Sequence, residues 1–149
     1  MENGFVDQYT FLSNFYYFPF EYKGIIFITA EHAFQWEKAT FIEDKQRILN
    51  ANTPADAKKY GRKVYIQNIN EWDTNKIQIM ENILIAKFNN NILKKKLLDT
   101  NNIILIEYNK WHDNFWGKCI CEKCKKILVN NNNNKLGQLL MKIRLLYIN

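Results

Sequence analysis

Ten residues, Thr29-Ala30-Glu31-His32-Ala33-Phe34-Gln35-Trp36-Glu37-Lys38, constrain this chain more than any other stretch. Threonine ahead of a run with helical spacing is a start signal, because its side-chain oxygen accepts from an orphan N–H of the first turn. His32 stands at the third helical position, where glutamate would complete a capping box, so the box is incomplete. At 3.6 residues per turn, Glu31, Phe34, Gln35 and Lys38 fall on one face. A core helix would carry leucines there. Two opposite charges, an amide and a ring on one stripe describe either a pocket wall or a solvated face. Taken alone, the stripe favours the solvated face, the usual place for charged side chains.

The rest of the pattern adds helices and a little sheet. Phe11-Leu12-Ser13-Asn14-Phe15-Tyr16 reads as a loop with buried rings. Phe18 to Tyr22 and Ile25 to Ile28 read as a hairpin turning at Lys23-Gly24. A second helix is expected over Asp44 to Ala51. Thr53-Pro54, a cap followed by proline at the first helical position, starts a third helix that runs to Tyr60 and stops at a left-handed Gly61. Val64 to Ile69 has no clear period. Asp73 or Thr74 caps a long helix to Asn89, with Ile77, Met80, Ile83, Leu84 and Phe88 on its apolar stripe and the Lys87 stem at the edge. Ile92 to Leu98 continues as a shorter helix, and Ile103 to Glu107 fits a buried strand. Residues 109 to 134 read as loop, with a low-complexity tract, Asn130 to Asn134, and a flexible insertion expected near 118–134. Asn134 caps a last helix, Lys135 to Leu146, whose core face holds Leu136, Leu139, Leu140, Ile143 and Leu146. The expectation is one compact α+β domain over residues 1–149, mainly helical, with a small β-sheet or hairpin.

A chain of 149 residues with 47% apolar composition can bury a real core, and 2 prolines argue against disorder. No apolar run reaches the length of a membrane span, and Met1-Glu2-Asn3-Gly4 has neither the charge nor the apolar stretch of a signal peptide. The 3 cysteines, odd in number and clustered, argue against a disulfide framework. A soluble, cytoplasmic protein with no membrane partner is expected; oligomeric state is left open. The net charge of +6 suits anionic ligands such as phosphates or nucleic acid. No basic run is dense, and solubility alone accounts for such a surface equally well.

Several chemistries drop out. No Gly-rich phosphate loop, Walker motif or dinucleotide fingerprint occurs. With 2 histidines, no H-E-x-x-H and no nucleophile elbow, zincin and triad readings find no support. Cys119-x-Cys121-x-x-Cys124 brings thiols close enough for zinc, with His112 available as a fourth ligand. Structural zinc sites usually show two separated pairs, so free thiols in a loop are expected here, with no metal and no cofactor. What remains is carboxylates beside aromatics: Glu31 with Phe34 and Trp36, Glu71 with Trp72, Asp113 with Trp116. Singly, each has a plain reading as a core ring or a turn former. Together they describe planar rings that hold a base or sugar, and acids that act on it.

In order and spacing these pieces resemble the NADAR/YbiA-like superfamily of N-glycosidase-type domains. The resemblance rests on Phe11 to Tyr16, Thr29-x-Glu31-His32-x-x-Gln35-x-x-Lys38, Ala57-Lys58 with Gly61-Arg62, and Trp72-Asp73 followed by Met80 and Ala86-Lys87-Phe88. It continues through Asp113-x-x-Trp116-Gly117 and Asn134-x-Leu136-Gly137-x-Leu139-Leu140-Met141-x-Ile143-Arg144, and so covers nearly the whole chain. The family usually has a short Gly/Asp-rich turn between Gly117 and Asn134, where this chain has the cysteines and the asparagine tract.

The resemblance implies hydrolysis of an N-glycosidic bond, in phosphorylated ribosylamino-pyrimidine intermediates of riboflavin synthesis or in ADP-ribose attached to a nucleobase. An ADP-ribosylated nucleic acid is a further candidate substrate. The family's acid falls on Glu31, its tryptophan on Trp72 and its loop aspartate on Asp113. Cleavage of a ribosyl C–N bond asks for a carboxylate near a cation-like sugar and an acid for the leaving nitrogen, which Glu31 and Asp113 would share. Trp72 would stack on the base, Arg62 or Arg144 would hold a phosphate, and Asn14 and Tyr16 would line the rim. Lys38, two turns from Glu31 or about 10 Å along the axis, is either a Schiff-base nucleophile towards the opened ribose or an ordinary ion-pair or phosphate contact. The competing reading from another class is a module that binds ADP-ribose or an NAD derivative without cleaving it.

Overall fold

The protein is described from a computed structural model covering residues 4–126 and 133–149. Residues 127–132, which hold part of the expected insertion and asparagine tract, lie outside the described residues. The architecture is α+β and mainly helical, in two compact units: Asn14–Asn89, and the described residues on either side of it. No helix among the described residues is long and apolar enough to cross a membrane.

In the Asn14–Asn89 unit, β1 (Phe20–Tyr22) pairs antiparallel with β2 (Ile25–Phe27). The turn sits at Lys23 and Gly24, with φ of 52° and 76°. Positive φ at both central positions gives the turn that matches the right-handed twist of the strands. Four helices follow: α1 (Ala30–Lys38), α2 (Ile42–Leu49), α3 (Pro54–Gly61) and α4 (Ile69–Lys87). The centre of the unit is α1, which packs on α2, α3, α4 and β2. Ala30 to Phe34 and Gln35 are all buried, so the helix has no solvent face over its first turn and a half. Its far end is closed from α2, where Lys45 Nζ donates to Trp36 O at 2.6 Å and lies 4.0 Å from the Trp36 ring centroid. A cation there complements the negative end of the helix dipole.

The incomplete capping box of α1 is completed by the imidazole. Thr29 Oγ1 accepts from the His32 N–H at 3.2 Å and lies 2.7 Å from His32 Nδ1, while His32 Nε2 lies 3.0 Å from Ala51 O. A carbonyl only accepts, so Nε2 carries the proton and Nδ1 takes the threonine hydroxyl. The ring thus joins the start of α1 to the end of α2 in its neutral form, and burial lowers its pKa from the ordinary 6.5.

Several expected boundaries move. The second helix begins two residues early, at Ile42, and ends at Leu49. The long helix starts at Ile69 rather than after Asp73: Asn68 accepts from the Glu71 N–H at 3.0 Å. Asn68-Ile69-Asn70-Glu71 has the spacing of a capping box, a signal as strong as the one expected at Asp73. Trp72 therefore lies inside the first turn of α4. Gly61 is not left-handed; it is the last residue of α3.

The other unit holds a 3-10 helix (Asp7–Leu12), α5 (Asn91–Leu98), α6 (Lys135–Ile148) and a short parallel pair of β3 (Tyr108–Asn109) with β4 (Lys118–Cys119). Residues 103–107 form no strand. Their backbone groups are taken by side chains: Asn134 donates to Leu105 O and accepts from the Glu107 N–H, and Arg144 donates to Ile103 O. Ile103 and Ile104 are exposed, and only Leu105 of that run is buried below a tenth. Asn134 is the N-cap of α6 by position, in the left-handed region at φ 55°, but its side chain makes no cap bond. The first N–H groups of α6 go instead to carbonyls of the preceding loop: Asn134 to Gly117, Lys135 to Phe115 and Leu136 to Trp116. Leu136, Leu139, Leu140 and Ile143 are buried as expected, whereas Leu146 is exposed.

His32 gives this fold a pH dependence. Its folded pKa lies below its unfolded value, so its contribution is complete above about pH 6.5 and is lost as pH falls towards the lowered folded value. Thermal melts from pH 7.5 down to 5 should show wild-type stability falling more steeply than that of His32→Ala. The variant should itself be less stable at pH 7.5 by about 1–3 kcal/mol, the cost of stranding buried partners. Parallel pH profiles for the two proteins would refute this.

Candidate active site

The stripe that reads alone as a solvated face is mostly interior. Glu31 is 7% exposed, Phe34 7% and Gln35 6%, and only Lys38 is half-buried. Glu31 Oε1 accepts from Gln35 Nε2 at 2.9 Å, and the Glu31 N–H donates to Asn14 O at 3.0 Å. A first-turn N–H has no partner inside its own helix, so this bond fastens the preceding loop to the helix beside the carboxylate. Asn14 is itself buried, with Nδ2 3.6 Å from Met80 Sδ. Asn14 Oδ1 and Gln35 Oε1 are buried without a hydrogen-bond partner among the described residues.

Room for the Gln35 amide comes from α3. A Cβ on Gly61 would stand 1.9 Å from Gln35 Oε1 and 2.5 Å from its Cδ. Gly61 is thus required by close approach rather than by backbone conformation.

Trp72, near the start of α4, packs against Phe34 with ring centroids 5.1 Å apart and planes at 48°. Lys38 and Trp72 share a cavity of about 490 Å³, with Glu37, Thr40, Asn68, Glu71 and Asn75 also on its wall. Burial pushes the Lys38 amine below its ordinary pKa; the charge of Glu31 opposes that shift, and Arg62 and Lys76 reinforce it. Lys76 also pairs with Asp73 at 3.2 Å. Arg62 is exposed.

Two lysines were not expected in this setting. Lys76 adds a cation to the group around Lys38. Lys87 is 1% exposed, with its ammonium 5.8 Å from the Tyr16 ring centroid and 5.2 Å from that of Phe88. Tyr16, expected on a rim, is half-buried under it. The signal for Lys87 was its helical register with Met80, Ile83 and Leu84, all buried. A lysine on the core stripe itself, rather than at its edge, is an interior cation that its surroundings must stabilise.

The remaining expected residues lie in the other unit. Asp113 is half-buried, and its Oδ1 accepts from the N–H groups of Phe115 and Trp116, each at 2.9 Å. Asn109 brackets the same residue, accepting from the Asp113 N–H and donating to Asp113 O. Asp113 thereby shapes the turn whose carbonyls hold the start of α6. Trp116 is half-buried, with Phe115 edge-on to it at 4.9 Å. Arg144 is buried, its Nη1 donating to Thr100 Oγ1 at 2.7 Å and Ile103 O at 3.0 Å. Those bonds fix a chain turn.

Gly61→Ala and Gln35→Leu separate activity from stability at this site. Gly61→Ala forces the Gln35 amide off Glu31 and should cost about 1–3 kcal/mol by overpacking. Gln35→Leu removes a buried unpaired acceptor but strands Glu31 Oε1, so it should also lose about 1–3 kcal/mol, and turnover is compared at a temperature where both variants are folded. If the Glu31 pair is functional, both variants lose most of their turnover. A Gln35→Leu protein with wild-type turnover would show that the pair is not needed.

Comparisons with known proteins agree with this geometry. The NADAR domain matches residues 3–146. N-glycosidase YbiA of Escherichia coli (strain K12) is 33% identical over 141 residues, covering 93% of this chain and 81% of that protein. N-glycosidase Npun_R5314 of Nostoc punctiforme is 32% identical over 142 residues, covering 91% and 84%. Riboflavin biosynthesis protein VVA0006 of Vibrio vulnificus is 27% identical over 139 residues, which are 93% of this chain but 35% of that longer protein. The NMR structure of E. coli YbiA superposes with a TM-score of 0.79 at 28% identity, over 99% of this chain and 87% of that one. A match over nearly the whole length, in sequence and in backbone, leaves one conclusion: the chain belongs to the NADAR domain family.

Proposed function

We propose that Glu31 and Lys38 hydrolyse the ribosyl C–N bond of a phosphorylated ribosylamino-pyrimidine, with Trp72 against the base. The class of reaction follows from the family: two relatives are named N-glycosidases, and the chain is a hydrolase of N-glycosyl bonds. The pyrimidine is favoured by a relative named for riboflavin biosynthesis. One observation carries the residue assignment: the half-buried Lys38 amine shares a cavity wall with Trp72 and feels the charge of Glu31.

Burial matters because a protonated amine is no nucleophile, and a lowered pKa leaves more of it neutral near pH 7. The Lys38 ammonium passes its proton to the Glu31 carboxylate; neutral Nζ then attacks C1′ of the ribose, and the C1′–N bond breaks as the leaving nitrogen takes that proton from Glu31. The new ammonium returns a proton to Glu31, which delivers it to O4′ as the C1′–O4′ bond opens, and a protonated imine joins Nζ to C1′. Water adds at C1′, the C1′–Nζ bond breaks, and the sugar and the amine are released. Asn68 and Asn75 on the cavity wall offer acceptors and donors for sugar hydroxyls. Arg62 and Lys76 hold the phosphate, since the Nη1 donors of Arg144 are engaged with the chain. Asp113 acts by shaping the Trp116 loop, and the proton work falls to Glu31.

Incubation with the phosphoribosylamino-pyrimidine, and separately with an ADP-ribosylated guanine nucleotide, tests substrate and chemistry together. Free pyrimidine is expected from the first. Turnover of the second alone would move the assignment to ADP-ribosyl bases. Ligand binding without any released base, unaltered in Glu31→Gln, would make the protein a binding module. Borohydride during turnover should trap a sugar adduct on Lys38. If no adduct forms and Lys38→Ala keeps its rate, the covalent step is wrong.

The pH and charge dependence are equally specific. Turnover needs one proton on the Lys38–Glu31 pair, so activity falls on the basic side as Lys38 loses it, and that limb of kcat/KM should lie below the ordinary lysine value of 10.5 because burial lowers Lys38. Asp113→Asn keeps the accepting Oδ1 while losing the charge, so its rate should stay within about tenfold of wild type, whereas removing a direct acid–base group costs on the order of 10²–10⁴. A loss of the larger size in Asp113→Asn would return Asp113 to the chemistry.

A further inference from the structure

Residues 112–124 gather four metal-ligand side chains, and we propose that His112, Cys119, Cys121 and Cys124 bind one structural zinc ion. Their ligand atoms all lie within 4.8 Å of one another. His112 Nδ1 is 3.4 Å from Cys121 Sγ, 3.4 Å from Cys124 Sγ and 4.0 Å from Cys119 Sγ. With Zn–S near 2.3 Å and Zn–N near 2.0–2.1 Å, a tetrahedral site sets N···S contacts at about 3.5 Å and S···S contacts at about 3.8 Å. The three observed N···S distances bracket the first value, and the 4.8 Å span of the whole set needs only a small closing-in to reach the second. Separated cysteine pairs, the usual sequence signature, are not needed: His112 and the β4 residue Cys119 supply one side, and the turn Cys121–Cys124 supplies the other.

Backbone hydrogen bonds hold the cysteines in place. The Cys124 N–H points to Cys121 Sγ at 3.4 Å, and the Cys119 N–H donates to Asn114 Oδ1 at 3.0 Å. Hydrogen bonds that favour a thiolate and fix a ligand's orientation are the usual outer support of a metal site. His112 holds φ at 68°, a conformation kept when surrounding structure demands it. Three thiolates, a neutral imidazole and Zn²⁺ carry one negative charge between them. Residues 110–126 contain lysines 110, 118, 123, 125 and 126 against Asp113 and Glu122, a basic stretch that complements that charge. The Lys118 ammonium is buried without a hydrogen-bond partner among the described residues. Three sulfurs and one nitrogen in a tetrahedron suit zinc over copper(II), nickel or magnesium. Four protein ligands leave no open position, so the ion is structural: it closes a loop from His112 to Cys124 that contains Asp113–Gly117.

Metal analysis of protein purified in reductant without chelator should find about one zinc per chain. Reconstitution of stripped, reduced protein with cobalt should give the intense visible bands of tetrahedral cobalt and near-ultraviolet thiolate charge transfer. Cys121→Ser should weaken the charge-transfer band and lower zinc occupancy, and His112→Ala should lower occupancy while keeping the band. With wild-type protein alone, a chelator should raise the thiols reactive towards a disulfide reagent and lower the melting temperature. The proposal is overturned if reduced, zinc-reconstituted protein holds no stoichiometric metal and gives no tetrahedral cobalt spectrum. It is equally overturned if an iron–sulfur spectrum appears, or if Cys121→Ser and His112→Ala bind as wild type does.

Discussion

The hydrogen bond from Gln35 to Glu31 is the interaction on which the Asn14–Asn89 unit depends. A carboxylate in a helix that its neighbours surround is costly unless other groups take up its lone pairs. Every nearby choice serves that requirement. Asn14 O receives the Glu31 N–H, so the loop before the hairpin is fixed to the helix start. Gly61 gives up its side chain so that α3 can approach the Gln35 amide. His32 spends both ring nitrogens on Thr29 and Ala51, which secures the end of α2 against the same helix. An all-leucine α1 would fold with less trouble, and the polar replacement is retained only where the buried groups have another use.

A comparable economy organises the other unit, around main-chain carbonyls instead of a carboxylate. Asp113 draws the N–H groups of Phe115 and Trp116 inwards, which turns the carbonyls of residues 115–117 towards the start of α6. These accept the helix's first donors, so Asn134 is free to clamp residues 105 and 107. The paired motifs at Asp113 and Asn134 are therefore two halves of one joint. Their shared spacing has a structural cause, whatever else Asp113 does.

Much of this was legible in the sequence, and the failures have physical reasons. The hairpin at Lys23-Gly24, the Thr29 and Thr53 caps and the core face of α6 follow from local chemistry, and the structure has them, Leu146 of that face excepted. Local rules failed where two signals of equal strength competed, as Asn68 did with Asp73 for the start of α4. They also failed where distant side chains consumed the backbone: Ile103 to Glu107 has the composition of a strand, but Asn134 and Arg144 occupy its hydrogen-bonding groups. For the site, the residue types on α1 were readable and their burial was not. Periodicity places Glu31, Phe34, Gln35 and Lys38 together without saying whether water or protein covers them. Gly61 shows the same limit, because its pattern fits a helix stop while its real constraint is the distance to one amide.

Burial is also what separates this site from a structural polar network. In a network built for stability, every buried donor and acceptor finds a partner, since each unpaired one costs about 1–3 kcal/mol. Here the pairing stops short. Gln35 gives its Nε2 to Glu31, yet Gln35 Oε1 and Asn14 Oδ1 face no donor among the described residues. A leucine at position 35 would remove the unpaired oxygen but also strand the Glu31 carboxylate that Nε2 holds. Gln35 Oε1 lies against Gly61, where a Cβ would stand 1.9 Å away, so its acceptor is turned towards α3. Burial likewise holds the Lys38 amine below its ordinary pKa, against the opposing charge of Glu31.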